Sequence, residues 1–90
     1  MPHEVTPQPT PNPNALRFQF DSSVLGTKSR SFSNADEANG IPWAERLFAV
    51  PGVESLFGVN DFLTVTKDRD AEWPAITPHV LDVLRNTDFA

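Results

Sequence analysis

The chain has 90 residues, with twelve acidic and seven basic side chains, a net charge of −5 and no cysteine. A chain this short holds one domain and buries only about 60–65% of its unfolded surface, so its core is modest. The absence of thiols excludes disulfides, thiolate nucleophiles and cysteine-held zinc or iron–sulfur centres. The acidic balance argues against a surface that tracks nucleic-acid phosphates.

Residues 1–13 carry Pro2, Pro7, Pro9, Pro11 and Pro13. Alternating prolines fix φ and remove amide donors, which favours an extended, polyproline-like run. Residues 1–8 are expected to be a mobile Pro-rich tail, and residues 9–88 a single folded domain. His3 and Glu4 in the tail read as solvated rather than as a metal pair. MPHEVTPQPT has neither the apolar core of a signal peptide nor an Arg-rich transit pattern, so a cytoplasmic address is expected. No apolar run reaches the roughly 20 residues that cross a bilayer, so no membrane partner is expected.

Thr10–Asn14 reads TPNPN, a rigid lead-in in which two X-Pro steps force extended geometry. Asn12 and Asn14 are polar groups held on that lead-in. Ala15–Phe20 then alternates, with Leu16, Phe18 and Phe20 on one face and Ala15, Arg17 and Gln19 on the other. That is a half-buried antiparallel strand. Thr27–Phe32 reads as a second strand whose Lys28 and Arg30 suit a sheet edge, or an acidic partner. Ser33–Gly40 is a small, acidic loop. Asn34, Asp36, Glu37 and Asn39 offer oxygen ligands, but their spacing is not that of an EF-hand.

Pro42 stands where a helix tolerates proline, inside its first turn. Trp43, Leu47 and Val50 recur at helical spacing, and Pro51-Gly52 ends the run. Trp43 beside Pro42 is expected to be partly exposed and able to anchor a partner. Val53–Val59 and Phe62–Lys67 read as strands of a hairpin turning at Asn60-Asp61. Gly58 and Asn60 are its candidate positive-φ or bulge positions. Trp73, Ile76, Val80, Leu81 and Leu84 share one face of a final helix. Pro78 either kinks that helix or marks its true start, with Thr77 as N-cap.

The resulting class is α+β: a two-layer ββαββα sandwich, a mainly antiparallel sheet with two helices on one face. No catalytic constellation is visible. His3 and His79 lack sequence-local partners, no serine sits in a nucleophile elbow, and no phosphate-binding glycine loop occurs. The reading is a non-enzyme. A cleft near His79 and Ser33–Gly40 ranks last among its uses.

Three stretches carry a family resemblance: TPNPNALRF at Thr10–Phe18, LFAVPGVESLFGVNDFLTVTK at Leu47–Lys67, and the helix at Trp73–Leu84. Together they resemble the N-terminal domain of Nfu/NifU-type proteins. Pro42–Ala44 departs from the family's usual Ser-Pro-Leu-Ala-like segment, which bears on how the first helix starts. Such proteins are scaffolds or carriers in iron–sulfur cluster maturation. They hold the cluster on a separate C-terminal domain through Cys-x-x-Cys, so no cluster ligand carries over to this cysteine-free chain. The resemblance implies a protein-interaction module, acting as a monomer on an iron–sulfur carrier or target protein. Its expected contacts are Asn12, Asn14, Lys28, Arg30 and Trp43, with no cofactor, metal or catalytic residue of its own. The alternative is direct iron or metal binding by Asp, Glu and His.

Overall fold

The computed structural model describes residues 4–86, without the side chain of Lys28. Strands β1 (Val5–Pro9), β2 (Ala15–Phe20) and β3 (Gly26–Phe32) come first, and a short 3-10 turn covers Ala35–Ala38. Helix α1 (Pro42–Phe48), strands β4 (Val53–Asn60) and β5 (Phe62–Lys67), and helix α2 (Trp73–Asn86) follow. The five strands form one sheet in the order β1-β2-β5-β4-β3, and every neighbouring pair is antiparallel. The α+β class and the two helices on one face agree with the sequence pattern. The sheet has one strand more than ββαββα allows.

That strand is β1, which occupies most of the segment expected to be a mobile tail. Met1–His3 lie outside the described residues. β1 pairs with β2 from Val5 opposite Phe20 to Pro9 opposite Leu16. Its two prolines do not break the ladder, and one hydrogen bond shows why. The Asp21 N–H donates to the Glu4 carbonyl at 3.1 Å, so Glu4 and every second residue after it face β2. Thr6 and Gln8 therefore carry the ladder bonds, and the backbone of Val5, Pro7 and Pro9 faces outward. Proline at an outward position of an edge strand removes no inner bond. Val5 is 4% exposed and joins the core, which ties the strand down.

The core lies between the sheet and the helices. Phe18 and Phe20 of β2, Leu56 of β4, and Leu63 and Val65 of β5 meet Trp43, Ala44 and Leu47 of α1 and Ile76, Val80 and Leu84 of α2. Burying each large apolar side chain contributes about 1.5–3 kcal/mol. Helix α1 has only seven residues, too few to persist without that packing. Helix α2 runs unbroken from Trp73 through Pro78 to Asn86. Of the two readings left open for Pro78, it does not restart the helix. The carbonyl that Pro78 leaves unpaired, that of Pro74, sits on the exposed side, where water reaches it.

The β4–β5 hairpin turns through Asn60-Asp61 with Asn60 at φ 55°, a left-handed position that asparagine tolerates. Gly58 proves to be neither a positive-φ residue nor a bulge. It is a close approach: a Cβ there would lie 2.6 Å from Leu25 Cδ1 and 2.7 Å from Leu63 Cδ1. The irregular registers lie instead in β3, where Gly26 pairs with Asn60 and Arg30 with Gly58, and at the start of β4, where Val53 pairs with Lys67 and Ser55 with Thr66.

Candidate interaction surface

The TPNPN lead-in folds back on itself and then grips the sheet. Thr10 Oγ1 lies 2.9 Å from both the Asn12 and the Ala15 carbonyl oxygens and accepts the Asn12 N–H at 3.2 Å. Asn12 Oδ1 accepts the Asn14 N–H at 2.9 Å. The Asn12 side chain thus shapes the turn rather than reaching outward. Asn14 Oδ1 accepts from Lys67 Nζ at 3.0 Å, and Lys67 also donates to the Asp68 carbonyl at 3.3 Å. The ammonium lies 5.9 Å from the centre of the Trp73 ring, whose Nε1 donates to the Pro13 carbonyl at 3.0 Å. Lys67 is 8% exposed. Two stretches of the family resemblance and the start of α2 therefore meet in one clasp, with an amide oxygen in place of a carboxylate.

Of the other expected contacts, Arg30 is exposed on β3, which is an edge strand as its composition implied. Lys28 lies on the same strand, but its side chain is outside the described set. Trp43 differs from expectation. It is 8% exposed and packs edge-on against Phe32, with ring centroids 5.7 Å apart at 85°. The spacing that groups Trp43 with Leu47 and Val50 aims it inward, and Pro42 takes the exposed position at the helix start. The structure does not bring the five residues together. Asn12 and Asn14 precede β2, Arg30 and Lys28 lie on β3 beyond β5 and β4, and Trp43 is in the core.

A surface that the composition did not reveal lies on the far side of the sheet, which no helix covers. Register places Thr6, Arg17, Phe62 and Val59 there, with Phe57 opposite Thr64 and Ser31. Phe57 is 42% exposed and is the one large apolar side chain so open among the described residues. Its ring centroid is 6.3 Å from that of Phe62. The Arg17 guanidinium lies over the Phe62 ring at 4.2 Å from its centre, and Nη2 donates to Gln19 Oε1 at 3.0 Å. Gln19 in turn donates to the Phe20 carbonyl at 3.2 Å and the Asp61 carbonyl at 2.9 Å, so the hairpin tip fixes the pair. Arg17 Nε is buried with no hydrogen-bond partner. The available signal was parity within each strand: Arg17 falls out of step with Phe18 and Phe20, Phe57 with Leu56, and Phe62 with Leu63 and Val65.

No group of three or more His, Cys, Asp or Glu side chains is placed to hold a metal ion among the described residues. His79 is exposed on α2. In the acidic loop, Asn34 Oδ1 accepts the Glu37 N–H at 3.1 Å and Glu37 Oε1 accepts the Ser33 N–H at 2.8 Å. Those oxygens cap the 3-10 turn. No helix among the described residues is long and apolar enough to cross a membrane.

The fold and surface define a small α+β domain with one bare sheet face and no thiol. The family described as "Scaffold protein Nfu/NifU N terminal" matches residues 5–88, and the chain belongs to it. The "NFU1 iron-sulfur cluster scaffold homolog, mitochondrial" of Drosophila ananassae is 41% identical over 78 residues, covering 86% of this chain and 27% of that protein. The "NifU-like protein 5, mitochondrial" of Arabidopsis thaliana is 38% identical over 77 residues, covering 86% and 28%. The chain thus spans little more than a quarter of these relatives. Among solved structures, a NifU-like protein from Saccharomyces cerevisiae superposes with a TM-score of 0.82 at 38% identity, covering 93% of this chain and 76% of that one. Protein SAV1430 from Staphylococcus aureus gives 0.76 at 30% identity, covering 92% and 98%. The mitochondrial relatives overturn the cytoplasmic address expected from the first ten residues. Targeting segments are read and removed apart from the folded domain, whose own residues carry no address.

Proposed function

We propose that this chain is a non-enzymatic protein-interaction module of iron–sulfur cluster assembly or delivery, acting as a monomer on a cluster carrier or on a protein that receives clusters. The observation that carries the reading is a cysteine-free Nfu-type domain whose uncovered sheet face holds an exposed phenylalanine beside a stacked arginine. A domain without thiols contributes by contact, and the cluster is cargo held elsewhere. An aromatic and an arginine side by side are the residue types that dominate binding energy at protein interfaces.

The test is an NMR titration of the 15N-labelled chain with apo and cluster-loaded carriers, read beside anaerobic reconstitution of the chain alone with iron and sulfide. Saturable shifts with a carrier, and a colourless chain after desalting, are the expected pair of results. A stoichiometric chromophore on the isolated polypeptide, or no shift with any carrier, refutes the reading.

A further inference from the structure

We infer that the open sheet face docks an extended protein segment that carries a carboxylate next to an apolar side chain, the carboxylate meeting Arg17 and the apolar group meeting Phe57. This inference rests on the interaction-module reading and names the chemistry of the partner.

Four observations lead to it. The first concerns charge. The chain as a whole is at −5, yet β2, β5 and the paired residues of β4 place one charged side chain on this face, Arg17, in register with Thr64 and Gln8. The other residues that these strands place there are alanine, threonine, glutamine, serine, valine and phenylalanine. Among the described residues Arg17 has no carboxylate partner; its recorded contacts are the Phe62 ring and Gln19. An acidic protein that keeps one unpaired guanidinium on a bare face attracts an anionic group there.

The second concerns geometry. A guanidinium lying flat on an aromatic ring, with its Nη held by Gln19, is pre-oriented, so little side-chain entropy remains to be lost when it forms a fork-like pair. Its Nε is buried and unpaired. The third is Phe57, which at 42% exposure borders the Phe62–Arg17 stack and gives an apolar side chain a place to pack.

The fourth concerns the sheet edges, which are poor alternatives. The outward positions of β1 include Pro7 and Pro9, which have no N–H to donate to an added strand. β3 at the other edge loses its regular register between Gly26 and Arg30. Strand addition needs a row of evenly spaced donors and acceptors. Neither edge offers one, so the segment lies on the face.

The test uses the 15N-labelled full chain and two peptides, acetyl-Phe-Glu-Val-Asp-amide and its uncharged analogue acetyl-Phe-Gln-Val-Asn-amide. The acidic peptide is expected to shift the amides of Arg17, Gln19, Phe57, Phe62 and Thr64, and to bind about tenfold more tightly than the analogue, as a hydrogen-bonded charge pair implies. R17Q is expected to erase that difference. R17K keeps the charge but loses the fork and the stack, and recovers only part of it. F57S is expected to weaken both peptides alike. Unchanged amide dispersion establishes that each variant is folded. Equal affinity for the two peptides, shifts confined to β3 or α2, tighter binding of an oligonucleotide than of the acidic peptide, or self-association of the free chain through this face by sedimentation overturns the inference. Carrier binding that survives R17Q and F57S unchanged refutes this docking mode while leaving the module reading intact. Peptide binding without any carrier binding does the reverse.

Discussion

Replacing Asn14 by alanine tests whether the clasp at Lys67 holds the lead-in to the sheet. Lys67 is 8% exposed, and Asn14 supplies its one side-chain hydrogen bond, at 3.0 Å. Without that amide, the ammonium keeps only the Asp68 carbonyl at 3.3 Å and the Trp73 ring at 5.9 Å. A hydrogen bond to a charged group is worth about 1.5–3 kcal/mol net, and water has little access to replace it. Asn14→Ala is therefore expected to cost about 2 kcal/mol. For a domain of this size that lowers Tm by roughly 8–16 °C. Lys67→Met removes the charge along with the need to satisfy it, and leaves an Asn14 oxygen that is only half-buried. It is expected to cost less than Asn14→Ala. The double variant should then lose less than the two single losses added, because the charge stranded by the first change is absent. Urea unfolding and thermal melts of the four proteins give the coupling directly. A loss below about 0.5 kcal/mol for Asn14→Ala, or strictly additive losses, contradicts the account of a buried cation satisfied by an amide.

The parity of β1 makes a second prediction. Thr6→Pro removes a ladder donor to β2 and is expected to cost about 3 kcal/mol, whereas Pro7→Thr restores only an outward N–H and is expected to stay within about 1 kcal/mol of the parent. Equal effects in urea unfolding would show the register to be wrong. Gly52→Ala places a Cβ 2.8 Å from Ala71 Cβ and 2.9 Å from Ile76 Cδ1, at a φ of 99°. Strain and overlap together are expected to cost roughly 2–4 kcal/mol, and a variant of parental Tm refutes this. Trp43→Ala is expected to destabilise by about 3–5 kcal/mol, as loss of a core aromatic does. A loss under about 1 kcal/mol, combined with weakened carrier binding, would restore Trp43 to the surface role its position first implied.

Much of this architecture was legible because period and parity are local. In β2 and β5 the apolar residues alternate, and the same residues, Phe18, Phe20, Leu63 and Val65, form the core. In α2, Ile76, Val80 and Leu84 recur at helical spacing and are buried together. The motif residues that marked the family were legible for a related reason. They are contiguous runs, although the contact that joins them, Asn14 to Lys67, spans 53 positions.

The sequence by itself determined the class of fold, the apolar faces of β2 and α2, and the exclusion of any thiolate chemistry. Tertiary structure alone decided three things. It showed that Val5–Pro9 is a strand, because whether a proline is tolerated depends on which way its missing N–H points relative to a partner strand. It placed Trp43 in the core, because a residue at a helix start is exposed or buried only according to what the helix lies on. It also assembled Arg17, Phe62 and Phe57 into one surface. These residues come from three strands, and their meeting depends on strand order and register, which bring together side chains that no stretch of the chain holds side by side.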